Sequence, residues 1–551
     1  MSMLDDYYKL YYDKNLYEKC KVAIVGGGIA GSYLAMRLSK KYGSDICLFD
    51  KDKYTGGRLY DIPVNSKKSS SPKIGLGGRR ILAAQEVMTN LAKELKIKLQ
   101  KPKKLEEFCF ARGKYDFTTE SIDKDPFAKL YKGLKINRSN SDYEFQLVQT
   151  LFNSPERKNI MNHPNLRTYI ASALGDSGYQ FLHDMTRFKS DLTYVVSAKD
   201  YVDYLETEYT YDLTDMYPVG GMSQFVKKLF LKAKKFGARI FKPERIISIN
   251  KDKHTGYRLS SSQKTIIADK VIFAVPAEAF TEIQGDIVDA IRSQSPLEYI
   301  QGVNVMTITQ WYRNAWWMRI KRLSNGRRVW RAWTTDSCIK SIEIPREPYL
   351  IRQKVFRVAY SDDATCIQHF NFLKESNITK LEEKIRNGLK HLFANNGITT
   401  RIRIPKATKT VIQEWVGAWS WIKAGSPFSA RYIAHWASKP LEGENVGLAS
   451  DSYFVLRSGW AEAAVLSAME LLKRQYSDVI DPLRESSTYH ATEVLTRLDE
   501  SRKENSSEEI RKENNRNGQN LVNHWRAMKL KNVSKIEEDS KQVRHRRNPR
   551  S

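Results

Sequence analysis

The stretch that most constrains this chain runs from Val22 to Asp50, VAIVGGGIAGSYLAMRLSKKYGSDICLFD. Val22–Val25 is a continuous apolar run, which predicts a strand buried on both faces. Gly26, Gly28 and Gly31 follow it as G-x-G-x-x-G and open a helix expected over 30–41. In that setting the first glycine allows a tight turn. The second lets backbone approach a pyrophosphate, and the third allows close helix–strand packing. The helix N-terminus favours phosphate charge. The second strand, DICLFD, ends in Asp50, 19 residues after Gly31, an acid suited to a ribose hydroxyl pair. A Rossmann-like dinucleotide site is therefore expected, with Ala30 and Lys51 beside these residues.

At 551 residues the chain exceeds one ordinary core; length alone suggests roughly three or four domains. No apolar run of about 20 residues occurs, so no transmembrane helix is expected. The N-terminal 20 residues are acidic and aromatic and do not read as a signal peptide. The five cysteines are widely spaced, with no C-x-x-C. That argues against a disulfide framework and a zinc site and for a reducing, cytoplasmic compartment. The histidines are scattered, and no metal site is expected. The formal charge of +28 reads as solubility plus a basic tail, or as steering of anionic partners such as nucleic acid or an acidic surface.

The expected organisation is α/β (α+β overall), a discontinuous dinucleotide-binding domain beside a sheet-plus-helices substrate domain. Residues 1–19 form a leader. The binding domain takes 20–100, 215–300 and 408–475. The substrate domain takes 101–214, a mainly helical insertion, and 301–407. Residues 476–551 form a polar, basic extension, with its last stretch, SKQVRHRRNPR, expected to be disordered.

TGGRLYD, with Gly56, Gly57 and Arg58, lies just beyond Asp50. A nicotinamide dinucleotide has no use for a second glycine–arginine turn there, whereas the longer body of a flavin dinucleotide has. From VAIVGGGIAGSYLA through CLFDKDKYTGGRLY the chain resembles the flavin-containing amine oxidoreductases, which include monoamine, polyamine and L-amino-acid oxidases. The likeness continues in YPVGGMSQFVKKL, in ERIISI, where Ile246 takes the usual Val position, in DKVIFAVPAEAF, and in GLASDSYFVLRSGWAEAAVLSA. It implies non-covalent FAD, contacted by Gly57, Arg58, Gly77, Gly78, Arg79, Ile246, Asp451, Trp460 and Ala461 besides the first motif.

IGLGGRRIL resembles the G-x-M-R pattern of the L-amino-acid oxidases, with Arg79 at the Met position and Arg80 at the Arg position. In that branch the arginine grips the substrate carboxylate, as a planar guanidinium can with two parallel hydrogen bonds. Trp419 and Trp421, in GAWSWIKAG, and Gly459 and Trp460 complete the implied substrate wall; core packing is the alternative for the two tryptophans of the former segment. Thr307 stands where the family usually has a lysine that hydrogen-bonds through water to the flavin. No catalytic base is assigned.

The resemblance thus implies oxidative deamination of an L-amino acid to keto acid and ammonia, with oxygen giving hydrogen peroxide. Two alternatives stay open: an amine or polyamine oxidase or desaturase without a carboxylate clamp, and a non-catalytic flavin-binding protein with a nucleic-acid-binding tail. The partners expected are an amine or amino acid, molecular oxygen, nucleic acid or an anionic surface at the tail, and a second copy of the chain.

Overall fold

The computed structural model describes residues 17–483 apart from 66–71, 102–105, 118–129, 135–142, 187, 189, 191–192, 194, 210–213, 253–255, 320–328, 345–350 and 395–402. The N-terminal leader to residue 16 and the chain beyond 483, basic tail included, lie outside the described residues.

In chain order the principal elements begin with β1 (Tyr17–Val25), α1 (Ile29–Tyr42), β2 (Ile46–Phe49) and α2 (Glu86–Glu94). A hairpin, β3 (Glu106–Ala111) and β4 (Lys114–Phe117), precedes helices α3 (Tyr143–Asn153), α4 (Leu166–Met185), α5 (Ala198–Tyr209) and α6 (Ser223–Lys235). Then come β5 (Arg239–Phe241), β6 (Ile246–Lys251), β7 (Tyr257–Ser261), β8 (Thr265–Phe273), β9 (Ile300–Trp311), β10 (Val329–Thr334), β11 (Ser341–Glu343) and β12 (Val355–Ser361). Helices α7 (Ala364–Ser376) and α8 (Ile378–Ala394), strands β13 (Lys409–Ile422) and β14 (Val446–Leu448), and helix α9 (Ala461–Gln475) close the described chain.

The first sheet has the order β5-β2-β1-β8-β7-β6, with β14 alongside the end of β8. β5, β2, β1, β8 and β14 run parallel. That is why Val22–Phe49 reads as apolar strand, helix, apolar strand: both faces of these strands are covered. Helix α1 is buried from Ile29 to Ser39, because it lies on the sheet and also packs against α6 and α9.

The second sheet has the order β13-β9-β12-β11-β10-β3-β4. Its strands alternate between two environments. Ile308, Phe356, Val358, Ile342 and Ala332 point into a core closed by Leu381, Ile385 and Leu389 of α8. Val303, Val305 and Trp333 point the other way, toward Leu147, Tyr169, Phe181 and Tyr201 of α3–α5.

Three expectations are corrected. Cys20–Cys47 and Cys338–Cys366 form disulfides, and Cys109 is a buried thiol. The first bridge joins neighbouring strands β1 and β2, an adjacency that the sequence separation of 27 conceals. The pairing runs against the reducing compartment inferred from cysteine spacing. Residues 409–422, assigned from sequence to the dinucleotide-binding domain, form β13 of the second sheet. The hairpin β3–β4 of the supposed helical insertion joins that sheet too. Finally, the polar extension does not begin at 476. Asp481 is buried against α1, accepting a 2.7 Å hydrogen bond from Tyr33 and lying 3.1 Å from Arg37 Nε. Among the described residues no helix is long and apolar enough to cross a membrane.

Candidate active site

One cavity of about 1470 Å³ starts at the carboxyl ends of β1, β2 and β8 and runs to the α3–α5 face of the second sheet. Ordinary ligand pockets hold roughly 300–1,000 Å³, so this one suits an elongated cofactor together with a substrate. Every site residue named from sequence lines it except Gly31.

The exception follows from packing. A Cβ on Gly31 would lie 2.0 Å from the Gly26 carbonyl oxygen and 3.0 Å from Ala274 Cβ. Gly26 has φ +110° and would place a Cβ 2.4 Å from the Ala274 carbonyl oxygen. These two glycines let helix and strands touch. A Cβ on Gly28 would meet nothing within 4 Å; its missing side chain opens onto the cavity, as a close approach of phosphate to backbone requires.

Asp50 follows β2 and is nine-tenths buried. Burial pushes its carboxyl up from 3.8 to about 6, while the Asp52 N–H, 3.2 Å away, pulls it back. Lys51 turns outward to pair with Glu282 at 2.8 Å. Ile246 opens β6 at the same end of the cavity.

Arg58 holds the middle. Its guanidinium donates to the Gly417 carbonyl at 2.6 Å, to Ser450 Oγ at 3.2 Å and to both oxygens of Asp451. Asp451 also accepts from Gly459 N at 3.3 Å. One arginine thereby ties the glycine turn after β2 to β13 and to the turn that starts α9 at Ala461. Glu462, which sequence reading passed over, is buried in that first turn and accepts from Val87 N at the start of α2. Burial pushes its carboxyl up to about 7, against the pull of Arg457.

The Leu76–Arg80 turn crosses the cavity beside β9. The Leu76 carbonyl accepts from Thr307 Oγ1 at 3.0 Å and from Trp415 Nε1 at 2.9 Å. Gly77 packs tightly enough that a Cβ would sit 1.9 Å from the Arg58 carbonyl oxygen. Arg80 lies over the Trp460 ring, 5.5 Å from its centroid, with Nε 2.6 Å from Asp215 Oδ1. Arg79 makes an ion pair with Glu343, a residue of the second sheet. For Arg80 a structural acid or a flavin phosphate is the alternative that the sequence leaves to a substrate carboxylate, and Asp215 is such an acid; for Arg79 no acid was expected.

The far wall is aromatic. Trp419 meets Phe188 at 5.3 Å between centroids, and Phe188 meets Tyr360 at 6.0 Å. Trp421 lines the cavity as well, and packs on Tyr201 and Tyr204; core and wall are one surface here. Asp362, also missed, accepts from Ser190 N and Oγ at 2.8 and 2.6 Å.

Known proteins agree with this architecture. A family model described as an NAD(P)-binding Rossmann-like domain matches residues 24–95. No curated protein matches the chain in sequence. Among solved structures, putrescine oxidase in a variant with redesigned cofactor binding is 13% identical with a TM-score of 0.59; the match covers 84% of this chain and 100% of that one. Wild-type putrescine oxidase bound to putrescine is 12% identical with a TM-score of 0.58, over 84% of this chain and 99% of that one. The chain therefore has a Rossmann-like domain within the fold of a flavin amine oxidase.

Proposed function

We propose that this chain is an FAD-dependent amine oxidoreductase that holds FAD non-covalently. The observation that carries this reading is one continuous cavity: a Gly28–Asp50 dinucleotide cradle at one end opens, past Arg58 and Gly77, onto an aromatic wall at the other. FAD, when bound, would supply the hydride acceptor for the carbon beside the amine. The C–N bond becomes C=N, the nitrogen proton goes to water, and hydrolysis of the imine releases ammonia. The chain's own residues position and exclude. Asp50 would take the ribose hydroxyls, Gly26–Gly28 would hold the pyrophosphate, and Phe188, Tyr360 and Trp419 would keep water from a neutral amine. Oxygen is the electron acceptor proposed.

The likeness to putrescine oxidase favours an amine. Arg79, Arg80, Arg331 and Arg357 are among six arginines that line the cavity, beside acids that include Glu343, Asp362 and Glu414, and their guanidiniums suit a substrate anion. An amino acid suits such a wall better, with Arg80 on its α-carboxylate, provided the substrate displaces the Asp215 contact.

The test is anaerobic. A yellow protein bleached by L-amino acids, and slowed strongly by Arg80→Ala, carries the full reading. Bleaching by simple amines alone removes the clamp and keeps the oxidoreductase. A yellow protein bleached by neither would favour the non-catalytic alternative, in keeping with Thr307 spending its hydroxyl on Leu76.

Asp50 sets a pH dependence. Its folded pKa lies above the ordinary 3.8. The unliganded protein therefore has the associated stability below that value and loses it, on the order of 3 kcal/mol, as pH rises through about 6. A ribose hydroxyl pair donates to the ionised carboxylate, so cofactor binding runs the other way. FAD affinity is expected to rise severalfold from pH 5 to pH 7 in fluorescence titrations, and Asp50→Asn to flatten that profile. A pH-independent affinity in wild type would refute the assignment.

A further inference from the structure

Helices α1, α6 and α9 all begin at the cavity: Ala30, Met222 and Ala461 line it. α1 packs against both of the others. They have 14, 13 and 15 residues, so each runs about 20 Å and their carboxyl ends come out together on the side away from the cavity. Two contacts mark that meeting. Lys40, in the last turn of α1, lies over the ring of Phe236, which follows α6, at 5.7 Å. Lys41 pairs with Asp478, just beyond α9. α2 ends there too: Glu94, its last residue, pairs with Arg37 of α1 at 2.5 Å and lies 3.6 Å from Lys232 of α6.

This end of the molecule is basic. A helix carboxyl end favours a nearby cation, but the last turns here hold Lys40 and Lys41, Lys93, and Lys232, Lys234 and Lys235, and Lys96 follows α2. The acids in contact with these ends are committed, Glu94 to Arg37 and Lys232, and Asp478 to Lys41. Lys93, Lys96, Lys234 and Lys235 are exposed and have no acidic partner among the described residues. Burial first, then Arg37, lowers the Lys40 ammonium from its ordinary value despite the pull of Glu94.

The same face carries an apolar feature. Leu231 of α6 is 68% exposed. Lys227 and Lys228 lie one turn before it, and Lys234 and Lys235 one turn after. A leucine ringed by ammonium groups adds nothing on a nucleic acid, which is read by arginine forks or stacked on exposed aromatic rings. It suits an anionic bilayer, where lysines meet headgroup phosphates and an aliphatic side chain enters the boundary with the acyl chains.

We propose that the carboxyl ends of α1, α2 and α6 dock the protein on an anionic phospholipid surface. The face is distinct from the basic tail, and the proposal does not depend on the oxidoreductase reading.

Cosedimentation of the full-length protein with vesicles tests it. Binding is expected to vesicles of mixed phosphatidylcholine and phosphatidylserine and not to phosphatidylcholine alone, and it should fall as salt rises. Lys234→Glu combined with Lys235→Glu is expected to weaken it about tenfold or more. Leu231→Ser is expected to weaken it severalfold at unchanged net charge. Thermal melting checks that the variants fold; should either melt early, Lys93→Glu combined with Lys96→Glu carries the test. The tail is intact in every variant, so binding that ignores these lysines overturns the proposal. No binding to the mixed vesicles, or equal binding to phosphatidylcholine alone, overturns it as well. So does a DNA duplex that binds more tightly than the mixed vesicles and is insensitive to Leu231→Ser.

Discussion

Gly28→Val is expected to give a folded protein that purifies without its yellow cofactor, whereas Gly31→Val, three residues on, fails to fold. The two positions look alike in sequence and differ in what a side chain would meet. At Gly28 the added Cβ has nothing within 4 Å, and φ is −69°, so valine enters without strain. Its methyl groups then occupy the space that pyrophosphate needs beside the α1 N-terminus. A loss of at least ~100-fold in FAD affinity, ~2.7 kcal/mol, is expected. At Gly31 the Cβ would lie 2.0 Å from the Gly26 carbonyl oxygen, a backbone atom that cannot swing away, and the overpacking costs more than ~3 kcal/mol. Circular dichroism and the visible spectrum separate the two results. A G28V protein as yellow as wild type would move the dinucleotide away from this turn.

The same contrast shows how far sequence carries. The Val22–Asp50 unit was legible because each of its demands is local: buried strand, turn, buried helix, and an acid at a fixed distance. Helix α1 spans 29–42 against an expected 30–41. The disulfides were illegible because Cys20 meets Cys47, and Cys338 meets Cys366, only once separate elements pair and pack. Arg357 was hidden for a related reason. Within VFRVAYS it reads as the outward residue of an alternating strand, and only pairing across four strands makes that outward face the lining of a cavity. The Arg79–Arg80 doublet was recognised as a site, but its acids were not. Glu343 and Asp215 lie 264 and 135 residues away from their partners Arg79 and Arg80 in the sequence, and nothing near either acid marks it. Trp419 and Trp421 were weighed as wall or core; a wall one side chain thick serves as both.

Arg58→Met is expected to destabilise the protein by ~3–5 kcal/mol, since it strands a buried carboxylate. Asp451 is 4% exposed, and Arg58 is its cationic partner on both oxygens. The substitution also takes a donor from the Gly417 and Ala418 carbonyls. Because 26% of the Arg58 side chain stays exposed, water softens the penalty toward the lower end of that range. Asp451→Asn costs less, ~1–3 kcal/mol, because an amide oxygen in the Oδ2 position still accepts from Gly459 N while the arginine keeps its two carbonyls. The double variant leaves no unpaired charge at positions 58 and 451. If the two act as one joint, it is less destabilised than the sum of the singles by ~1–3 kcal/mol. Urea unfolding of the four proteins, each stripped of cofactor, measures that coupling directly. Additive losses would mean that Arg58 works through the backbone of β13 alone. Coupling would mean that the Gly57 turn and the turn opening α9, which face each other across the proposed flavin path, are held in place by a single ion pair formed before any cofactor enters.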